Sequence, residues 1–164
     1  MLEKDVPDPM NPTQIAKILP DWAAGRVSLK EIKGYSDDEL FAIAHTAYFF
    51  LMQGKNQEAK TLFQGLAVID PRNDYYYRAL GVIHHKLGDA TRAVEQFGYA
   101  IKRNPRSAAA YVNRAEVYIS VKQFNEAAKD LQRALQVVTA KEPQLMRKVK
   151  ALTRMARKSA MASR

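Results

Sequence analysis

The stretch Ala79-Leu80-Gly81-Val82-Ile83-His84-His85-Lys86-Leu87-Gly88-Asp89-Ala90-Thr91-Arg92-Ala93-Val94-Glu95-Gln96-Phe97, followed by Pro105, decides the fold because it recurs. Shifted by 34 residues toward either end, residues of the same kind return. Pro71 precedes Pro105, Gly54 precedes Gly88, Ala59 and Ala127 flank Ala93, and Phe63 and Leu131 flank Phe97. Leu66, Ala100 and Ala134 form another column, as do Ala47, Gly81 and Ala115. Ile43, Tyr77 and Tyr111 form a further one, as do Phe50, His84 and Tyr118. Columns held at a fixed period of this size mean one supersecondary unit repeated and stacked.

Each unit holds two apolar-periodic segments separated by a short polar break, Gly54-Lys55-Asn56 in the first and Gly88-Asp89 in the second. That pattern predicts a helical hairpin. Small residues explain two of the columns: Ala47, Gly81 and Ala115 on the first helix are expected to meet Ala59, Ala93 and Ala127 on the second, where only small side chains let backbones approach closely. Pro71 and Pro105 are expected to begin the turn into the next unit, where a missing N–H costs nothing. The predicted helices run over 37–53, 57–69, 74–87, 90–103, 108–121 and 124–138. The third unit departs from the pattern, with Thr139 at the proline position and Lys122 at the glycine position.

At these columns the chain resembles the tetratricopeptide repeat family over roughly residues 40 to 139. The resemblance implies an all-α fold, a right-handed superhelical solenoid of three helical hairpins with an N-terminal helical extension and a C-terminal capping helix. The expected division is a disordered lead over 1–12, an extension over 13–36, and repeats over 37–139 (about 40–73, 74–107 and 108–141). A basic helix and tail over 140–164 completes it.

Composition narrows the function. The 164 residues, 47% hydrophobic and 26% charged, suit one compact domain. The absence of cysteine excludes disulfides, thiolate zinc sites, iron–sulfur clusters and cysteine nucleophiles, and fits a reducing compartment. The N-terminus lacks the basic and apolar regions of a secretory signal. The longest mostly apolar stretch, Phe41 to Met52, is shorter than the roughly 20 residues of a membrane helix. A soluble, cytoplasmic protein with no membrane insertion is the expectation.

The net charge of +9 is unevenly placed: residues 1–40 hold five basic and eight acidic side chains, residues 41–140 thirteen and eight, and residues 141–164 eight and one. The excess therefore concentrates at the C-terminal end.

Upstream of the repeats, Thr13 is placed to cap a short helix with Ile15, Ile18, Leu19 and Trp22 on one face. Pro20 lies inside it, to bend or restart it, and Gly25 ends it. Its apolar face has two readings: it folds onto the first hairpin, or it is a dimerisation surface. Ser28 with Glu31, and Ser36 with Glu39, have the capping-box spacing. Downstream, Pro143 is expected to start a last helix with Leu145, Val149, Leu152 and Ala156 on one side. A solenoid needs such a cap. Its basic residues, Arg147, Lys148, Lys150 and Arg154 among them, form the solvated face of that cap, contact an acidic protein partner, or contact nucleic acid or an anionic membrane. Aromatic interleaving is absent there, which disfavours single-stranded nucleic acid.

Catalytic chemistry is not signalled. His45, His84 and His85 form no metal-binding helical motif, and His84 shares a column with Phe50 and Tyr118, which predicts packing. The single Gly-Lys pair, Gly54-Lys55, lacks the earlier glycine of a phosphate loop. Asp37 and Asp38 sit at a helix start, where the dipole favours them. The reading is a non-enzymatic binding protein with no cofactor and no metal.

The concave side of stacked hairpins is the expected binding surface. Its candidates are Phe41, Ala44, Tyr48 and Leu51 in the first unit, Tyr75, Arg78, Val82 and His85 in the second, and Val112 in the third. Aromatic and aliphatic side chains there suit the hydrophobic anchors of an extended peptide. Ala44, Tyr48, Ala79 and Ala109 stand where a carboxylate-clamping tetratricopeptide protein needs Lys and Asn, which disfavours a clamp.

The runs Ala24-Gly25-Arg26-Val27-Ser28-Leu29-Lys30-Glu31-Ile32, Tyr35-Ser36-Asp37-Asp38-Glu39-Leu40 and Tyr76-Tyr77-Arg78-Ala79-Leu80-Gly81-Val82-Ile83-His84-His85-Lys86-Leu87-Gly88 are similar to the class II chaperones of bacterial type III secretion. That resemblance implies an N-terminal dimerisation helix and a groove for a short segment of a hydrophobic translocator. Contacts would fall on Ala44, Tyr48, Leu51, Tyr75, Val82 and His85. Ala44 stands where an aromatic is common in that family, and the basic tail departs from its generally acidic members. The alternative is a scaffold joining folded proteins in a signalling, motility or envelope-assembly complex.

Overall fold

The computed structural model describes residues 12–162. Among them the chain forms α1 (Pro12–Ala23), α2 (Leu29–Lys33), α3 (Asp37–Met52), α4 (Asn56–Ile69), α5 (Asp74–Lys86), α6 (Ala90–Arg103), α7 (Ala108–Ser120), α8 (Phe124–Val137) and α9 (Pro143–Ala162), with no strand. The expected lead over residues 1 to 12 lies outside the described residues apart from Pro12, which opens α1.

Three hairpins, α3/α4, α5/α6 and α7/α8, stack in chain order, and α9 packs on the last. Their ends are set locally. Ser36 Oγ accepts the Glu39 N–H at 3.2 Å while the Glu39 carboxylate accepts the Ser36 N–H at 2.9 Å, so orphan donors at the start of α3 are satisfied from both sides. Ser28 and Glu31 do the same for α2. Asn73 caps α5 by accepting the Tyr75 N–H, and Asp89 caps α6 by accepting the Arg92 N–H.

The hairpin turns need a left-handed residue, supplied by Gly54 (φ 77°), Gly88 (φ 80°) and, in the third unit, Lys122 (φ 60°). A side chain in that region is strained where glycine is not. Lys122→Gly is therefore expected to raise stability by about 0.5–1 kcal/mol, the relief of strain exceeding the entropy glycine adds to the unfolded chain. The check is a higher urea midpoint at unchanged slope.

The repeated columns form the core. Ala59, Phe63, Ala93, Phe97, Ala127 and Leu131 are buried, as are Ala47, Gly81 and Ala115. The expected alanine-to-small-residue meeting is modified in the second hairpin: the atoms nearest Gly81 belong to the Phe97 ring, and a Cβ there would lie 2.6–2.8 Å from three of its carbons. One apolar cluster joins α3, α4 and α5 through Leu40, Phe63 and Ile83, and another joins α7, α8 and α9 through Val112, Leu131 and Val149. A smaller one, Ala93, Phe97 and Val117, bridges the second and third hairpins.

The helix α1 runs through Pro20 unbroken, with the Ala16 carbonyl giving up the hydrogen bond that the missing N–H would have donated. Gly25 (φ 69°) then reverses the chain. Arg72 ties this segment to the first hairpin, donating to the carbonyls of Arg26 at 2.7 Å and Gly25 at 3.3 Å and pairing with Glu31 at 3.5 Å. Lys30 pairs with Asp37 and lies 3.7 Å from Asp70. Ile15, Leu19 and Trp22 stay exposed and Ile18 is half-buried. The exposure of Ile15, Leu19 and Trp22 corrects the reading in which α1 folds its apolar face onto the first hairpin.

Candidate ligand-binding groove

On α3 the buried stripe is Leu40, Ala44, Ala47 and Leu51, spaced by four, three and four residues. One residue further on, and so rotated by about 100°, runs a second stripe of Phe41, His45, Tyr48 and Met52, all exposed. Phe41 retains 69% of its surface, Tyr48 48% and Met52 68%. Large apolar side chains left in water along one helix face mark a contact surface rather than scattered exposure.

Residues of α3 and α5 line a cavity of about 590 Å³. Its walls are Phe41, His45 and Tyr48 from α3 and Tyr75 and Tyr76 from α5, its floor includes Ala44, and Asp37, Asp38 and Asn73 surround it. The rings are held by one another. Tyr75 meets Phe63 edge-on at 5.8 Å and Tyr76 at 6.1 Å, and Phe41 lies 6.4 Å from His45. Burial pushes the Tyr75 phenol above its ordinary pKa, so it stays a neutral donor. Cavities of this size with apolar walls and a few polar groups are the usual form of a ligand site.

The other groove candidates divide. Arg78 lies 5.5 Å from the Tyr75 ring centre and pairs with Asp74 at 3.2 Å. Val82 and His85 are half-buried, Val82 against two apolar clusters. Two positions are corrected. Leu51 is buried in the first cluster because it continues the 40/44/47 stripe. Val112 is wholly buried in the cluster that contains Val149 and Ala156 of α9, which stacks on the third hairpin and closes that end. Ala44 is buried as well, but at the cavity floor.

The flanking candidates are also placed. Lys148 pairs with Glu116 of α7 at 2.9 Å, so it serves the α9 cap, and Arg147 donates to the Pro143 carbonyl at 3.4 Å. Lys150 and Arg154 point outward, exposed. His84 packs as expected: it is buried, and burial pushes its pKa below the ordinary value against the opposing pull of Asp89, 4.0 Å away.

Sequence reasoning missed two features. The acids beside the cavity, Asp37 and Asp38, were explained by the helix dipole alone. Arg114 and Asp130 form a two-pronged ion pair, 2.7 Å at each contact, between α7 and α8. Asp130 is buried, and its hydrogen bonds hold the Arg114 guanidinium above its ordinary pKa. The two lie sixteen residues apart on different helices, a separation that no local pattern flags. Among the described residues no cluster of His, Asp or Glu is suited to a metal, and no helix is long and apolar enough to cross a membrane.

A family model described as tetratricopeptide repeat matches residues 46–99 and 86–143. BBSome complex member BBS4 of Mus musculus is 31% identical over 109 residues, 66% of this chain and 20% of that protein. The chain thus spans a fifth or less of the length of the curated relatives it matches. SycD, the type III secretion translocator chaperone of Yersinia enterocolitica, superposes with a TM-score of 0.76 at 19% identity, covering 79% of this chain and 98% of SycD. SycD in complex with a peptide of the translocator YopD gives 0.70 at 20% identity, over 74% and 95%. The likeness to these structures is one of fold.

Proposed function

Since this chain belongs to the tetratricopeptide repeat family, we propose that the α3/α5 cavity takes apolar side chains of an extended client segment. On this reading the protein is a type III secretion translocator chaperone acting in the cytoplasm. The observation that carries the reading is the row of exposed side chains Phe41, His45 and Tyr48 opening on a cavity walled by Tyr75 and Tyr76. The shared fold with SycD, solved with a peptide of its translocator, supports it. Covering a client's apolar anchors suppresses its self-association, and the work is binding, with no catalytic step and no nucleotide. The division into an extension over 13–36, repeats over 37–139 and a basic end over 140–164 belongs to the same reading. So does a homodimer through Ile15, Ile18, Leu19 and Trp22, whose face the hairpins leave open.

The test substitutes Phe41→Glu and Tyr48→Glu together, both exposed and so removable without disturbing the core. Central aromatic anchors are worth about 2 kcal/mol or more each, so loss of both should lower affinity for a translocator-derived hydrophobic peptide on the order of several hundredfold in titration calorimetry. Unchanged affinity sinks the groove reading. A second reading, a scaffold for an acidic folded partner, rests on the outward Lys150 and Arg154 of α9. It predicts that charge reversal there, and not in the groove, abolishes capture.

A further inference from the structure

The cavity between α3 and α5 has aromatic walls and an acidic edge. Phe41, Tyr48 and Tyr75 present rings, and Asp37 and Asp38 stand beside them. Elsewhere along this face Arg78 pairs with Asp74 and Glu116 with Lys148. At the cavity, Asp37 is engaged by Lys30 yet keeps 91% of its side chain in solvent. Asp38 is exposed and has no ion-pair partner among the described residues. The cavity edge therefore keeps an unneutralised negative charge in a protein whose net charge is +9.

The same chain shows what such a combination holds. Arg78 lies over Tyr75 and pairs with Asp74, and Arg103 lies 3.8 Å from the centre of the Tyr77 ring while donating to the Tyr99 carbonyl at 3.0 Å. An aromatic face attracts a cation through its quadrupole. Lys and Arg side chains also bury their alkyl stems on apolar surface while keeping the charge at a polar edge.

We infer that the cavity selects client segments carrying a lysine or arginine beside the apolar anchor. The alkyl stem lies along Phe41, Tyr48 and Tyr75, and the charge reaches Asp37 and Asp38. This specificity rests on the groove reading above. It excludes acidic flanks, because a client carboxylate at the same place meets two aspartates at close range.

The test uses three fluorescein-labelled ten-residue peptides sharing the same two leucines and differing at one adjacent position, Lys, Gln or Glu. Binding to the full chain is read by fluorescence anisotropy at pH 8, in 50 mM and 500 mM NaCl. The Lys peptide is expected to bind about 3- to 10-fold more tightly than the Glu peptide at low salt, with the Gln peptide between them. The ratio should shrink toward one at high salt, where exposed charges are screened. It should also shrink in the Asp37→Asn, Asp38→Asn variant, which keeps the Ser36 and Glu39 cap and whose fold is checked by circular dichroism. Equal affinities for the three peptides at low salt, or a ratio that persists in the Asn variant, overturn the charge selectivity while leaving the groove reading in place. Absence of binding by all three, or binding that does not respond to Phe41→Glu and Tyr48→Glu, overturns the groove reading and the selectivity with it.

Discussion

Gly81→Val is expected to lower stability by about 3 kcal/mol, the upper end of what overpacking a tight core costs. A single Cβ at that position would already sit 2.6–2.8 Å from three carbons of the Phe97 ring, and valine adds two more carbons. Helix propensity does not offset this, since valine gains only a few tenths of a kcal/mol over glycine in a helix. Phe97 is itself buried at 1% exposure between the second and third hairpins, so the ring has no empty space to turn into. Urea denaturation followed by circular dichroism should show the lower midpoint, and adding Phe97→Leu to the Gly81→Val variant should recover part of the loss. A coupling of about 1 kcal/mol or more between the two sites is the expected signature of direct contact. If Gly81→Val stays within about 0.5 kcal/mol of the parent, the close approach of α5 and α6 is not what demands glycine.

The second large effect lies at Asp130. Asp130→Ala leaves the Arg114 guanidinium, whose side chain is only 21% exposed, without its two-pronged carboxylate. Removing one member of a buried pair costs about 3–5 kcal/mol. Arg114 keeps some contact with water, so the lower figure, about 3 kcal/mol, is expected. Replacing both partners by leucine should cost far less, since no charge is then left unpaired. Similar losses for the single and double variants would show that the pair acts through something other than its charges.

The hairpins were legible because period and punctuation agree. The helix expected over 74–87 is Asp74–Lys86, and that expected over 90–103 is Ala90–Arg103. Both are bounded by residues, Asn73 and Gly88, whose side-chain cap or left-handed backbone can be read locally. Both capping boxes were legible on the same ground. The last helix begins at Pro143 and buries Val149 and Ala156, as its apolar spacing required.

The groove was less legible. Its stripe and the core stripe of α3 differ by one residue, so Leu51 and Tyr48 look alike in a helical reading although one is buried and the other exposed. Whether Val112 meets solvent depends on α9, which returns from more than thirty residues away in sequence. The acidity of the cavity edge needed the neighbouring rings to acquire a meaning, since Asp37 and Asp38 by position alone are ordinary residues of a helix start.

Each hairpin touches chiefly the ones before and after it, which also orders events in time. Contacts between sequence neighbours close short loops, so such a chain forms quickly and can grow from any completed unit. Synthesis runs from the N-terminus, and every wall of the α3/α5 cavity comes from residues before Phe97. The aromatic pocket can therefore be complete while the third hairpin and the basic helix α9 are still to be made. Closure of the far end by Val149 and Lys148 comes last.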